Sequence, residues 1–379
     1  MDFRFSGADD AFRAEVRGVL EAYAPQRTEG TDEGETGFEK ALATRGWLTA
    51  AWPKAYGGLG LTQIEQLIFK EELMRAGGTF PGTGVNLVGP TLMVHGTETQ
   101  RREHLPKIAA GSVAWCQGFS EPGAGSDLAS LQARAVRDGD EFVVNGQKIW
   151  TSRAHRADWI LLLARTDPAA PKHRGITMFL VDMQTPGIRV RPIRQLTGVA
   201  GFNEVFFDDV RVPSANIVGE QDRGWYAAAT TLDFERSGIE RNLIAEGDWN
   251  RIFAFVRAEP GSWPPRDRSG LRQRFAELRI EVEAGRWLAR RVAWLQMKGM
   301  VPNAEASMSK GFNSEVGQRV SEFGVNAFGL AGQLSSGPWA ALDGQAAFRY
   351  LDARRLTVAQ GTAEIQRNII ATRGLGLPR

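Results

Sequence analysis

The chain has 379 residues, and 46 Lys plus Arg against 44 Asp plus Glu leave a net charge of +2. Charged residues at 24% and apolar residues at 42% exclude a disordered chain, and so small a surplus supplies no basic field for nucleic acid. A single cysteine, Cys116, excludes an intrachain disulfide and a multi-cysteine zinc site. The four histidines, His95, His104, His155 and His173, show no ligand-like spacing, which argues against a metalloenzyme. At roughly 100–200 residues per domain, the length predicts two or three domains.

Residues 1 to about 112 read as helices. Phe12, Val16, Val19, Leu20 and Tyr23 form an apolar stripe over 11–23, with Asp9 and Asp10 as expected caps and Pro25 as a stop. Ile64, Leu67, Ile68 and Met74 repeat the pattern over 61–76, which Gly77-Gly78 ends. Residues 100–110 form a short amphipathic piece that stops at Gly111. The texture then changes. DGDEFVVNGQKIW holds two turn signals, Asp138-Gly139 and Asn145-Gly146, among β-rich residues. ADWILLLART, GITMFLVDM, IRVRPI and NEVFFDDVRV follow, and strands without intervening helices predict an antiparallel sandwich or barrel. From Gly224 onward helices return. Leu271, Phe275, Leu278, Val282, Leu288, Val292 and Leu295 keep three-four spacing over about seven turns. EPGSWPPRDRSG (259–270) reads as a loop within that bundle. The expected domains are 1–112, helical; 113–221, an antiparallel β-domain; and 222–379, a helical bundle. The fold class is α+β, mainly α.

Three segments carry chemistry. GFSEPGAGSDLAS (118–130) has small residues that let backbone amides approach a ligand, with Ser120, Ser126 and Asp127 as polar groups. It lacks the phosphate-loop pattern, and a plain strand-to-loop junction is an equal reading. KIWTS (148–152) sets Trp150 beside Thr151 and Ser152, which suits a flat heterocycle as well as a core strand. TTLDFER (230–236) places Glu235 among Leu232, Phe234 and Ile239, where burial would raise its pKa toward that of a base. A solvated helix face is the plain alternative. No G-x-S-x-G elbow is present.

These segments resemble the acyl-CoA dehydrogenases. The resemblance rests on SEPGAGSDL (120–128), NGQKIWTS (145–152), FNEVFFDDVRVPSANIVGE (202–220) and GTAEIQRNIIATRGLG (361–376), four motifs in the family's order. The LGLPR ending and the arginine-rich composition are similar to actinobacterial members. The resemblance implies an N-terminal helical domain, a middle β-domain and a C-terminal four-helix bundle. It also implies FAD as cofactor and an acyl-CoA thioester as substrate. The implied flavin contacts are Gln117, Phe119, Ser120, Ser126, Trp150, Thr151, Ser152, Thr362 and Glu364. Ser120 and Ser152 would meet the isoalloxazine edge, and Trp150 would pack on the ring. Ser126, Asp233, Arg236 and Gln360 match acyl-CoA contacts.

Many members place the catalytic glutamate immediately before the Gly-Thr of the last motif. Here that position is Gln360, which is no proton acceptor. Isovaleryl- and long-chain-type members place it in a stretch similar to LDFER, which makes Glu235 the expected base. The implied chemistry removes an α-proton to Glu235 and a β-hydride to flavin. A backbone N–H at position 360 would bond the thioester oxygen, and a backbone donor survives exchange of Glu for Gln. An R-x-x-F-G-like flavin grip is replaced by AEPGSWPPRDRSGLRQRF, where Arg266, Arg268 or Arg272 are candidate substitutes. Expected partners are electron-transferring flavoprotein and further subunits: a homo-dimer, a homo-tetramer, or a heterotetramer in which two chains divide the FAD contacts. A partner-dependent or silent subunit, and a flavin monooxygenase or oxidase on the same fold, are the alternative functions. No apolar run approaches the roughly 20 residues of a membrane span, and the first residues do not read as a secretory signal, so a cytoplasmic location is expected.

Overall fold

The computed structural model describes residues 5–23, 32–234, 239–258 and 268–378. Helices α1 (Gly7–Tyr23), α2 (Asp32–Ala43), α3 (Gln63–Arg75), α4 (Gly89–His95) and α5 (Glu98–Ala109) come first. Eight strands follow: β1 (Trp115–Gly118), β2 (Arg134–Asp138), β3 (Glu141–Ser152), β4 (Trp159–Arg165), β5 (Ile176–Asp182), β6 (Ile188–Ile193), β7 (Phe202–Pro213) and β8 (Ile217–Val218). Helices return as α6 (Gly224–Phe234), α7 (Ile239–Ala258), α8 (Arg268–Met297), α9 (Asn303–Phe328), α10 (Leu330–Gln333), α11 (Gln345–Ala353) and α12 (Ala363–Ile369).

Hydroxyl caps start several of these helices. Thr62 Oγ1 accepts from Glu65 N–H at 3.3 Å, and Glu65 Oε2 accepts from Thr62 N–H at 2.7 Å, a capping box before α3. Thr97 and Gln100 repeat it before α5. At α1 the expected aspartate caps give way to Ser6. Its Oγ accepts from Asp9 N–H at 3.2 Å, while Asp9 Oδ2 accepts from Ser6 N–H at 2.7 Å. A hydroxyl three residues ahead of a carboxylate satisfies two end amides at once, which an aspartate inside the first turn cannot do.

The chain forms two compact units: Tyr23–Leu61 with Pro81–Glu235, and Met1–Ala22 with Thr62–Phe80 and Arg236–Arg379. The first holds the sheet, ordered β6-β7-β3-β2-β4-β5-β8, with β1 added beside β4. The expected antiparallel pairing holds except at β1–β4 and β2–β4, which are parallel. Strands β4 and β5 are near-continuous apolar runs because both their faces are buried. Leu161 and Leu163 join Val88, Leu92, Leu105 and Ala228 in one core, while Ile160 and Leu162 join Phe142, Val144, Val205 and Val210 in another. Phe142 and Phe179 meet edge to face at 5.2 Å although β3 and β5 are not neighbours, so the sheet curls around this second core.

Asp138-Gly139 is the expected turn, between β2 and β3. Asn145-Gly146 is not a turn; both residues lie inside β3. Val144 pairs with Val210 and Gly146 with Phe207, so two β7 residues oppose Asn145. The Asn145 amide bonds Asp209 twice at 2.9 Å and holds that bulge. The glycine serves close approach, since a Cβ at 146 would lie 2.7 Å from Ala133 Cα.

In the helical unit Phe275, Leu278, Val282, Val292 and Leu295 are buried along α8, as the stripe predicts. Arg268, Ser269 and Gly270, expected in a loop, begin this helix; 259–267 lie outside the described residues. Two carboxylates that the apolar pattern does not anticipate are buried on α3. Glu72 accepts from Arg17 at 2.7 Å, from Arg75 at 2.6 Å and from Arg13. Glu71 meets Arg13 at 2.8 Å and Arg290 of α8 at 3.1 Å. Burial alone would push the Glu72 carboxyl up, but its bonds to Arg17 and Arg13 outweigh that and hold it below 4.5. A carboxyl lowered on folding stabilises above its unfolded pKa and loses that contribution as pH falls through the folded value. Glu72→Gln is expected to cost about 2 kcal/mol at neutral pH. It should also flatten the acid limb of the melting-temperature profile below pH 4.5. Thermal unfolding across pH checks both.

Candidate active site

The 118–130 segment leaves β1 and runs beside the end of β3. Ile149 N–H donates to Ser120 O at 2.9 Å. Beneath it lies a buried ion pair. Lys148 Nζ, on β3, is fully buried and donates to Glu121 Oε1 at 2.6 Å and to Phe119 O at 3.1 Å. The Glu121 carboxylate also accepts the backbone N–H of Gln132 at 2.6 Å and of Ala133 at 2.9 Å. Burial pulls the Lys148 ammonium down to about 8, against the opposing pull of Glu121. Gln117, Phe119 and Ser120 are thereby tied to the KIWTS segment. The signal for this pair is present in the sequence: Lys148 falls in phase with Phe142 and Val144 on the inward side, and an inward lysine requires an anion.

A second bulge follows. Lys148 pairs with Val205 and Thr151 with Asn203, so Ile149 and Trp150 together oppose Glu204. Strict alternation from Lys148 would turn Trp150 inward. The bulge instead puts Thr151 inside, with Trp150 58% exposed at φ +62°. Left-handed backbone at a bulky residue costs of order 1–3 kcal/mol and persists only where the surroundings impose it. Trp150 meets Phe202 edge to face at 6.3 Å. The Thr151 hydroxyl is buried and has no hydrogen-bond partner among the described residues. Ser126 and Ser152 are exposed, and Gln117 and Ser120 are half-buried. An open recess of about 480 Å³ borders Pro122, Gly123, Gln132 and Gln147.

The remaining candidates belong to the helical unit or lie outside the description. Gln360 is exposed at φ +58° and precedes Gly361 at φ +83°. Thr362 Oγ1 caps α12 by accepting from Ile365 N–H at 3.3 Å. Glu364 is exposed, its carboxyl held below the usual range by its own backbone N–H and by Thr362. Glu235 and Arg236 lie outside the described residues, as does the Asp233 side chain; the same holds for Arg266 and the Arg268 side chain. Arg272 is exposed on α8. No described helix is long and apolar enough to cross a membrane.

The chain matches the acyl-CoA dehydrogenase N-terminal domain over 6–112, the middle domain over 116–210 and the C-terminal domain over 222–375. It is 39% identical over 367 residues to acyl-CoA dehydrogenase FadE34 of Mycobacterium tuberculosis, covering 97% of this chain and 50% of that protein. It thus spans about half the length of that relative. Acyl-CoA dehydrogenase IpdE1 of the same organism is 36% identical, over 98% of each chain. Among solved structures, the Tcur3481-Tcur3483 steroid ACAD aligns with a TM-score of 0.90 at 36% identity over the whole of both chains. The ChsE4-ChsE5 complex of Mycobacterium tuberculosis aligns at 0.89 and 34% identity over the whole of both chains. The chain belongs to the acyl-CoA dehydrogenase family, whose members are FAD-dependent oxidoreductases.

Lys148→Met strands the buried Glu121 carboxylate, and a cost of about 3–5 kcal/mol is expected. Glu121→Gln keeps one acceptor oxygen and so loses one of the two amide bonds, but it strands no carboxylate and leaves Lys148, already pulled down to about 8, able to shed its proton, so it should cost less. Denaturant unfolding of both variants checks the order, and amide exchange at Gln132 and Ala133 should rise more in Glu121→Ala than in Glu121→Gln.

Proposed function

We propose that this chain desaturates an acyl-CoA thioester between Cα and Cβ, with FAD as its cofactor and Glu235 as the base. The observation that carries the reading is the match to all three family domains, combined with a glutamine at 360 and a glutamate at 235. The exposed Trp150 face fits a flat heterocycle. Gln117, Phe119, Ser120, Ser126, Trp150, Thr151, Ser152, Thr362 and Glu364 are the residues assigned to FAD. Bound FAD supplies the acceptor for the β-hydride. Ser126, Asp233 and Arg236 are assigned to the CoA arm, and the Gln360 backbone to the thioester oxygen.

The work left to the protein is proton transfer and charge stabilisation. An α-proton of a thioester is weakly acidic. A backbone N–H aimed at the carbonyl oxygen lowers the barrier by stabilising the enolate as charge develops. Glu235 takes the proton at Oε as the Cα–H bond breaks. A glutamine at 360 leaves that backbone donor in place. Electron-transferring flavoprotein is the assigned electron acceptor.

Two structural neighbours are pairs of different proteins by name, the Tcur3481-Tcur3483 ACAD and the ChsE4-ChsE5 complex. They support a second reading, in which this chain works as one half of a heteromeric assembly. The first of them is named a steroid ACAD, which supports a bulky acyl group.

Anaerobic addition of acyl-CoA thioesters to the purified chain separates these readings. Bleaching of the flavin absorbance supports desaturation by this chain. A colourless protein that turns yellow only with a co-expressed homologue supports the heteromer. Rapid oxygen use without an added acceptor overturns the dehydrogenase reading. Glu235→Gln should stay yellow and lose about 10²–10⁴ in turnover, read by stopped-flow bleaching. Trp150→Ala should weaken FAD retention by about 1 kcal/mol, read by flavin fluorescence on dilution.

A further inference from the structure

The Gln360-Gly361 turn is held by two buried side chains from outside it. Lys310 of α9 is 1% exposed, and its Nζ donates to Gly361 O at 2.6 Å. Gln366 of α12 is 2% exposed, and its Nε2 donates to Gln360 O at 3.3 Å and to Gly361 O at 3.2 Å. On the other side of the turn, Val358 and Ala359 N–H both donate to Arg355 O, at 3.0 and 2.9 Å. Between these anchors sit two consecutive left-handed residues. Position 361 favours glycine through its φ of +83°, and a Cβ there would displace Gln366 Nε2, only 2.7 Å away. Among the described residues the donors meet backbone carbonyls only, so their work is to fix the direction of peptide groups.

A buried lysine that bonds no carboxylate is costly. Arg241 faces Lys310 from α7 and Glu364 from α12, and burial more than Arg241 pulls the ammonium down to about 8 against Glu364. Packing alone would be served better by a methionine of similar length. An expensive donor kept on a strained turn next to the position assigned to the thioester oxygen marks that turn as one that must not move.

We propose that Lys310 and Gln366 are positioning residues for catalysis: they lock the left-handed Gln360-Gly361 turn so that its backbone meets the developing enolate oxygen in fixed geometry. The inference rests on the acyl-CoA reading above. It assigns these two residues to the α-proton step, distinct from binding of the CoA arm.

The test uses the full-length FAD-loaded protein and the β-thia analogue of whichever acyl-CoA bleaches the flavin fastest. Sulfur at the β-position gives up no hydride, so exchange of the α-protons in deuterated water reads enolate formation alone. Lys310→Met and Gln366→Met are expected to slow that exchange tenfold or more, with analogue affinity by calorimetry within threefold of wild type. Lys310→Arg, which restores a donor, is expected to recover most of the rate. Should Lys310→Met fail to fold, Gln366→Met carries the test. Wild-type exchange rates in folded variants overturn the proposal, as does a loss of affinity equal to the loss of rate. If no acyl-CoA bleaches wild-type flavin, the acyl-CoA reading itself falls, an outcome separate from the other two.

Discussion

Removing an ammonium from water costs several kcal/mol unless an anion and further acceptors receive it. Lys148 is fully buried, and the candidate flavin face is organised by what that burial demands. Its three hydrogens need acceptors, and Glu121 and the Phe119 carbonyl are two. Glu121 in turn needs further donors, and the amides leading into β2 provide them, Gln132 N–H to the second oxygen and Ala133 N–H to the one Lys148 uses. One charge pair therefore joins β1, β2 and β3 at one end of the sheet. A glycine-rich segment that would otherwise keep much of its backbone entropy is pinned at its centre.

The bulges act on the same strand. Each adds one residue to one side of the β3–β7 ladder, so their effects on phase are local and opposite. The bulge on β7 lets Asn145 and Asp209 pair without breaking the strand. The bulge on β3 inverts the facing of everything after Lys148. Its product is an indole on the outside and a threonine within, the reverse of what period-two alternation gives.

Much of the architecture was legible because its signals are short-range. The α8 stripe and the Asp138-Gly139 turn depend on residues within one or two turns of each other. The motifs that name the family are contiguous, and they carried the assignment that composition and spacing alone left at a helix–sheet–helix protein. What stayed illegible depends on partners far away in the chain. Asn145-Gly146 has the composition of a turn, and only the β7 residues 64 positions later make it a mid-strand bulge. Glu71 and Glu72 read as the polar face of α3 until Arg13, Arg17 and Arg290 arrive from other helices. Trp150 is assigned to a ligand by resemblance alone, and its exposure comes from a bulge that no local pattern announces.

Gln360 shows how a backbone-held turn treats its own side chain. The bonds from Lys310 and Gln366 grip carbonyls, which do not change with the residue type at 360. The residue itself is exposed. Those two grips would survive a change of side chain at 360, although a β-branched residue or proline would strain the left-handed backbone. The scaffold is therefore modular at this point. On the proposed reading, a carboxylate could be gained or lost at 360 by a single codon change while the backbone donor stays, so the base and the carbonyl donor could change address separately.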